Sequence, residues 1–127
     1  RTMILCDSNV LIELFKGNKN TLETLKSIGS QNIGISAVSL MELFFGARNK
    51  QELALIKDNL SMHHIFQINK NTSEIAVDLI YKYSKSHGLD IPDALIAATA
   101  LDHQITLFTY NIKDFKFIEN INLYRFE

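Results

Sequence analysis

Four acidic residues, Asp7, Glu42, Asp93 and Asp114, each adjoin a segment that reads as a buried strand or the start of a helix. Carboxylates gathered at the end of a low-dielectric sheet repel one another and cannot all stay ionised unpaired. A hard divalent cation resolves that conflict. Mg²⁺ or Mn²⁺ takes oxygen ligands, keeps several waters, and orients and acidifies a water for attack on phosphorus. The chemistry implied is metal-dependent hydrolysis of a phosphodiester. Each acid alone has a plainer explanation. Asp7 can be a helix cap, Glu42 the end of a capping box begun at Ser39, Asp93 a first-turn acid favoured by the helix dipole, and Asp114 a turn residue. Their joint placement at one expected edge is what favours a site.

The elements that must hold these acids alternate in type. Met3 to Cys6 is a continuously apolar run, as expected of a strand buried on both faces, and Asp7 follows it. Ser8 or Asn9 can cap a helix over Val10 to Phe15 that closes at Gly17, and Asn20 with Glu23 begins a second helix ending at Gly29. Ile33 to Ile35 reads as the second strand, with Ser36 or Ser39 opening the helix that carries Glu42 and stops near Gly46. Gln51 to Met62 has helical spacing, His63 to Ile68 is a third strand, and Asn71 with Glu74 marks a further helix reaching His87-Gly88. In Leu89 to Leu101, Asp90 is an N-cap candidate, Pro92 suits a first turn, and a run of alanines makes a helix that must pack on more than one side. Ile105 to Thr109 is the fourth strand, and Ile121 to Phe126 a short last one.

Such alternation indicates an α/β domain with a mainly parallel sheet of four or five strands and helices on both faces, residues 1–127 forming a single domain. Ligands in these sheets bind beyond the C-terminal strand ends, where Asp7 and Asp114 follow strands. Asp93 reaches that edge if its helix runs antiparallel to the strands, as crossover helices normally do.

Composition narrows the partners. A formal charge of −1 argues against nucleic-acid binding by bulk positive charge, so a metal ion would have to supply part of any attraction to a polyanion. The one cysteine, Cys6, excludes an internal disulfide and a cysteine-based zinc site, and fits a reducing, cytoplasmic setting. No stretch approaches the roughly 20 apolar residues of a membrane span.

DSNVLIEL from Asp7, SAVSLMELFFG around Glu42, IPDALIAATAL around Asp93 and TYNIKDF from Thr109 together resemble the PIN-domain nucleases, most closely the VapC-type toxins of prokaryotic toxin–antitoxin modules. The resemblance spans nearly the whole chain, with the four motifs in family order. It implies a three-layer α/β/α PIN-like domain and a Mg²⁺- or Mn²⁺-dependent endoribonuclease that leaves a 3′-hydroxyl and a 5′-phosphate. By position, Asp7 and Asp93 match the family's most consistent metal-binding acids, with Glu42 and Asp114 as the other two. Ser8, Thr109 and Asn111 match polar positions that hold the acids or the attacking water. Ser8 stands where threonine is common in the family, which keeps the hydroxyl.

The resemblance also implies a cognate antitoxin and a homodimer. The sequence offers surfaces for them: Val10 to Phe15 and Leu40 to Phe45 are apolar around most of each helix, more than a core-facing stripe needs. The plainer account is that both helices are wedged between the sheet and other helices. Rival functions fit less well. A receiver-like regulatory module needs an acidic pair near the first strand, and Asp7 has no adjacent acid; an Asp-nucleophile phosphatase needs an acid where Asn9 stands. An inactive PIN-like scaffold is disfavoured by the presence of all four carboxylates. His63 and His64 are adjacent and on a strand point to opposite faces, while His87 and His103 suit helix C-termini, so none is assigned a role.

Overall fold

Residues 3–125 are described by the computed structural model. Four short strands, β1 (Ile4–Cys6), β2 (Ile33–Ser36), β3 (His64–Phe66) and β4 (Thr106–Phe108), form an all-parallel sheet in the order β3-β2-β1-β4. The chain moves outward from β1 through β2 to β3, then returns to place β4 on the other side of β1. The topological switch point therefore lies between β1 and β4, where such sheets open a crevice.

Six helices cover the sheet: α1 (Ser8–Phe15), α2 (Lys19–Ile28), α3 (Ala37–Phe45), α4 (Lys50–Leu60), α5 (Lys70–His87) and α6 (Ile91–His103). Side chains alternate across a strand, so each strand feeds two cores. Leu5 and Leu107 pack with Leu79, Ala94, Ala97 and Ala98 of α5 and α6, whereas Cys6, Ile33, Ile35 and Phe108 pack with Val10, Leu25, Leu43 and Ile56 of α1 to α4. The result is the three-layer arrangement expected from the sequence. Gly34 is required in β2, because a Cβ there would stand 2.3 Å from the Phe66 ring.

Most element types agree with the sequence reading, but several caps lie elsewhere. Asp7, not Ser8 or Asn9, is the N-cap of α1 and accepts from Ser8 N; Asn18, not Asn20, caps α2 through Thr21 N; Asn69, not Asn71, caps α5 through Thr72 N. In the last two the residue three positions on is threonine. Capping there needs only an amide oxygen aimed at a backbone N–H, and a glutamate is not part of it. Asp90 caps α6 as expected, accepting from Asp93 N. Ser36 caps α3 by accepting from Ser39 N, which removes the capping-box account of Glu42.

The expected final strand shrinks to one parallel bridge between Leu107 and Leu123. Leu107 N donates to Asn122 O and Tyr124 N donates to Leu107 O, and these two bonds make up the bridge. Phe126, the end of that expected strand, lies outside the described residues. Among the described residues no helix is long and apolar enough to cross a membrane.

Candidate active site

The site is built on the switch point. Asp7 leaves β1 and Thr109 leaves β4, and the Thr109 hydroxyl donates to Asp7 Oδ2 at 2.9 Å across the crevice. Asp7 is 4 % exposed. A buried carboxylate at that depth needs donors. It also accepts from Ser8 N at 2.7 Å and from Asn9 Nδ2 at 3.2 Å. Burial nonetheless raises its pKa, Thr109 and Ser8 pull it down, and the charge of Asp114 adds to the rise.

Glu42 projects from α3, and Ser8 Oγ donates to its Oε1 at 3.1 Å, tying the start of α1 to the second acid. Its pKa is raised by burial and by Asp7 and Asp90, against the lowering effect of Ser8. Asp93 stands in the first turn of α6, partly buried. Its carboxyl is pushed up to about 7, first by burial, then by the charges of Asp90, Asp7, Asp114 and Glu42. Asp114 ends a single 3₁₀ turn, Ile112–Asp114, after β4. Thus α6 does bring its N-terminus to the C-terminal edge of the sheet, and the four acids act on one another electrostatically.

The hydroxyls of Ser8 and Thr109 each donate to one of the acids, Glu42 and Asp7. Asn111 differs: its backbone N–H donates to Thr109 Oγ1 at 3.1 Å, and its side chain lines a neighbouring polar pocket. Two residues of the site were not read as such from the sequence. Asn9, which the sequence offers as a helix cap and as the residue that argues against a phosphatase, donates to both Asp7 and Thr109 Oγ1 (3.1 Å) and accepts from Tyr110 N at 3.0 Å, closing the crevice from the α1 side. Asp90, considered only as the cap of α6, is a fifth acid acting on Asp93 and Glu42. A polar residue two positions after Asp7 was the visible signal for the first; an acid three before Asp93 was the signal for the second.

The donor set fits a hard cation. It consists of carboxylate and hydroxyl oxygens, and among the described residues no lysine or arginine is paired with Asp7, Glu42, Asp93 or Asp114. Among the described residues no three His, Cys, Asp or Glu side chains are drawn into a tight metal cage. Loosely spaced acids suit Mg²⁺ or Mn²⁺, which keep several waters and are reached in part through them. Cys6, behind Asp7, is buried and its thiol is raised to about 12, so it remains protonated and packs as an apolar residue. His87 stacks on Phe117 with ring centroids 4.3 Å apart, and His103 lies 3.7 Å from Asp102, away from these acids.

Beside the acids runs an apolar groove of about 800 Å³ between α1, α3 and α4, lined by Ile12, Phe15, Leu43, Leu55 and Ile56 and bordered by Glu42 and Arg48. The two apolar helices are partly core and partly exposed. Val10, Leu11, Val38 and Leu43 are core, while Ile12, Phe15, Met41 and Phe45 are exposed, Phe45 by 93 %.

Comparison with known proteins places this arrangement. The model of the PIN domain matches residues 4–119. Ribonuclease VapC10 of Mycobacterium tuberculosis is 32 % identical over 124 residues, covering 94 % of this chain and 90 % of that protein. A toxin–antitoxin complex from Klebsiella pneumoniae contains a chain 33 % identical, with a TM-score of 0.79 and coverage of 93 % of this chain and 94 % of that one. In VapBC2 of Rickettsia felis bound to a promoter DNA fragment, a chain 26 % identical matches with a TM-score of 0.85, over 99 % of this chain and 100 % of that one.

Proposed function

The chain belongs to the PIN-domain family, and from that premise we propose that it is the RNA-cleaving toxin of a toxin–antitoxin pair, a divalent-metal-dependent endoribonuclease. The observation that carries the reading is the set of mutually repelling acids at the switch point, with Asp93 lifted to about 7. The 32 % identity to a protein named as a ribonuclease supports the substrate class.

Asp7, Asp93, Glu42 and Asp114 would hold one or two Mg²⁺ or Mn²⁺ ions. A divalent ion there would attract the RNA phosphate to an otherwise repulsive site, acidify the attacking water and offset charge at the leaving oxygen. The chain's own residues do the positioning. Thr109 and Asn9 fix Asp7 Oδ2, Ser8 N fixes its Oδ1, and the Ser8 hydroxyl holds Glu42. Asp93 has no such donors among the described residues, and burial with the surrounding acids favours its protonated form; opposing positive charge favours its ionisation. In-line attack of water on the phosphodiester breaks the bond to the 3′ oxygen, giving a 3′-hydroxyl and a 5′-phosphate.

The apolar groove suits a segment of the antitoxin, since Glu42 borders it and an occupant would reach the acids. Solved relatives assembled as toxin–antitoxin complexes support that partner. Exposed Met41 and Phe45 offer an apolar face for a second copy. The test is cleavage of a mixed RNA pool with Mg²⁺ or Mn²⁺, with EDTA and Asp93→Asn as controls. Metal-dependent cutting lost in the variant is expected. No cutting under either metal by a folded protein would remove the nuclease reading in favour of a scaffold or regulatory module.

A further inference from the structure

A second, polar pocket of about 730 Å³ adjoins the acids on the α2 side and shares two walls with them, Asn9 and Asn111. It is separate from the apolar groove, which lies toward α3 and α4. Tyr110 forms a side wall and is fixed at both ends: its backbone N–H is held by Asn9 Oδ1, and its hydroxyl lies 2.5 Å from Thr21 Oγ1. Its ring also packs edge-on against Phe108 at 5.4 Å. The pocket therefore has a rigid aromatic side.

Its other walls carry hydrogen-bonding groups open to solvent and so within reach of a ligand. Asn20, Glu23 and Asn111 border the space, are exposed, and have no side-chain partner among the described residues, whereas the second carboxylate there, Glu13, accepts from Asn18 Nδ2 at 3.3 Å and pairs with Lys16 at 3.7 Å, which leaves Glu23 as the unengaged one. That mixture suits a nucleobase and not a phosphate. An aromatic face stacks a base, amides both donate and accept, and a carboxylate only accepts and would repel an anion. A carboxylate with two oxygens discriminates among bases. Guanine presents adjacent N1–H and N2–H donors that both oxygens can accept together; adenine, cytosine and uracil each present a donor at a single ring or amino position on that edge.

We propose that this pocket reads a guanine in single-stranded RNA, at a nucleotide next to the scissile phosphate, with Glu23 accepting from N1 and N2, and Asn20 and Asn111 meeting the remaining edge. The placement beside the scissile bond rests on the nuclease reading. Base recognition itself does not. Shared walls couple the two, because Asn9 holds both Asp7 and the Tyr110 backbone, so a base in the pocket fixes the strand relative to the acids.

The experiment is titration of the purified full chain, without added metal, with GMP, IMP, AMP, CMP and UMP, followed by NMR or calorimetry. GMP should bind roughly tenfold more tightly than IMP, which lacks the 2-amino group, and Glu23→Gln should erase that difference. Wild-type cleavage products should show guanine enriched at one fixed position beside the cut, and Glu23→Gln should remove the enrichment. Equal affinity for GMP and IMP, or a preference that survives in Glu23→Gln, overturns the proposal. Selective GMP binding by a protein that cuts no RNA would keep base recognition and instead remove the nuclease reading.

Discussion

Asp93 and Asp102 stand at opposite ends of the same helix and behave in opposite ways. The dipole of α6 favours a carboxylate at Asp93, in the first turn, and disfavours one at Asp102, in the last, by about 0.3–1 kcal/mol each. The shifts run against it. Asp93 is raised to about 7, whereas Asp102 is held below the usual carboxylate range, first by the Asn71 amide, then by Thr72 and Asn69, with His103 adding a smaller pull. Asp102 accepts from Asn71 Nδ2 and from Thr72 Oγ1 at 3.1 Å, a tie between the end of α6 and the start of α5. The partners of a carboxylate therefore outweigh its place on the helix. Asp102, given donors and set apart from other acids, fastens the fold; Asp93, crowded by its own kind, is held in readiness for something positive, and Asp7, which has donors but sits in the same crowd, belongs with Asp93.

The sharpest way to break the comparison is to neutralise each acid. Asp93→Asn should lower metal-dependent RNA cleavage by about 10²–10³-fold or more, while Asp102→Asn should leave it within about twofold, both read as initial rates on one RNA at saturating Mn²⁺. Equal losses would place the two acids in the same role and undo the distinction.

Stability should separate them in the other direction. Asp102→Ala strips Asn71 and Thr72 of their acceptor and should cost about 1–2 kcal/mol in urea unfolding at pH 7, without a change in m. The sign with pH follows from its lowered folded-state pKa. Its contribution is present above the unfolded value of 3.8 and fades as pH falls through the folded one.

Asp93 reverses that dependence. Its pKa rises from 3.8 to about 7 on folding, so between those values the unfolded chain has released a proton that the native state still binds. Stability therefore declines as pH rises from about 4 to 7. Because the group is partly open to solvent, the loss is on the order of 1 kcal/mol, well below a full conversion of the shift. Asp93→Asn should recover that amount at pH 7 and flatten the profile between pH 4 and 7, as measured by thermal unfolding. Mn²⁺ should stabilise the wild type and much less the variant, since an ion bound only by the native state raises its melting temperature.

What the sequence disclosed of these two acids differs for a physical reason. Asp93 was legible because its signal is local: a first-turn acid on a helix too apolar to be solvated, entering the sheet edge where Asp7 also ends a strand. Hydrophobic runs and glycine stops likewise placed β1 to β4 and all six helices in order. The tie at Asp102 was not legible, since it depends on α5 and α6 lying antiparallel, which brings residues 71 and 102 together. Asn9 escaped for the same reason, its partner Thr109 being 100 positions away. Caps slipped by two residues at α2 and α5 because asparagines recur there, and only the backbone path decides which one meets the third N–H of the helix.

Ser8 offers the smallest test. It is the one donor Glu42 has among the described residues, over 3.1 Å, and Glu42 is exposed, so water replaces much of what the hydroxyl supplies. Ser8→Ala should slow cleavage by about two- to threefold, and Ser8→Thr should restore it, because the hydroxyl and not the side-chain size is what Glu42 uses. The comparison between fastened and unfastened acids then becomes graded. Among the described residues Asp102 carries several donors and serves the fold, Glu42 carries one and is steadied by it, and Asp93 carries none, while Asp7, with three, belongs to the site through the acids around it. A loss in Ser8→Ala as large as in Asp93→Asn would mean that the hydroxyl meets the substrate itself, and the ordering by donors would no longer describe the site.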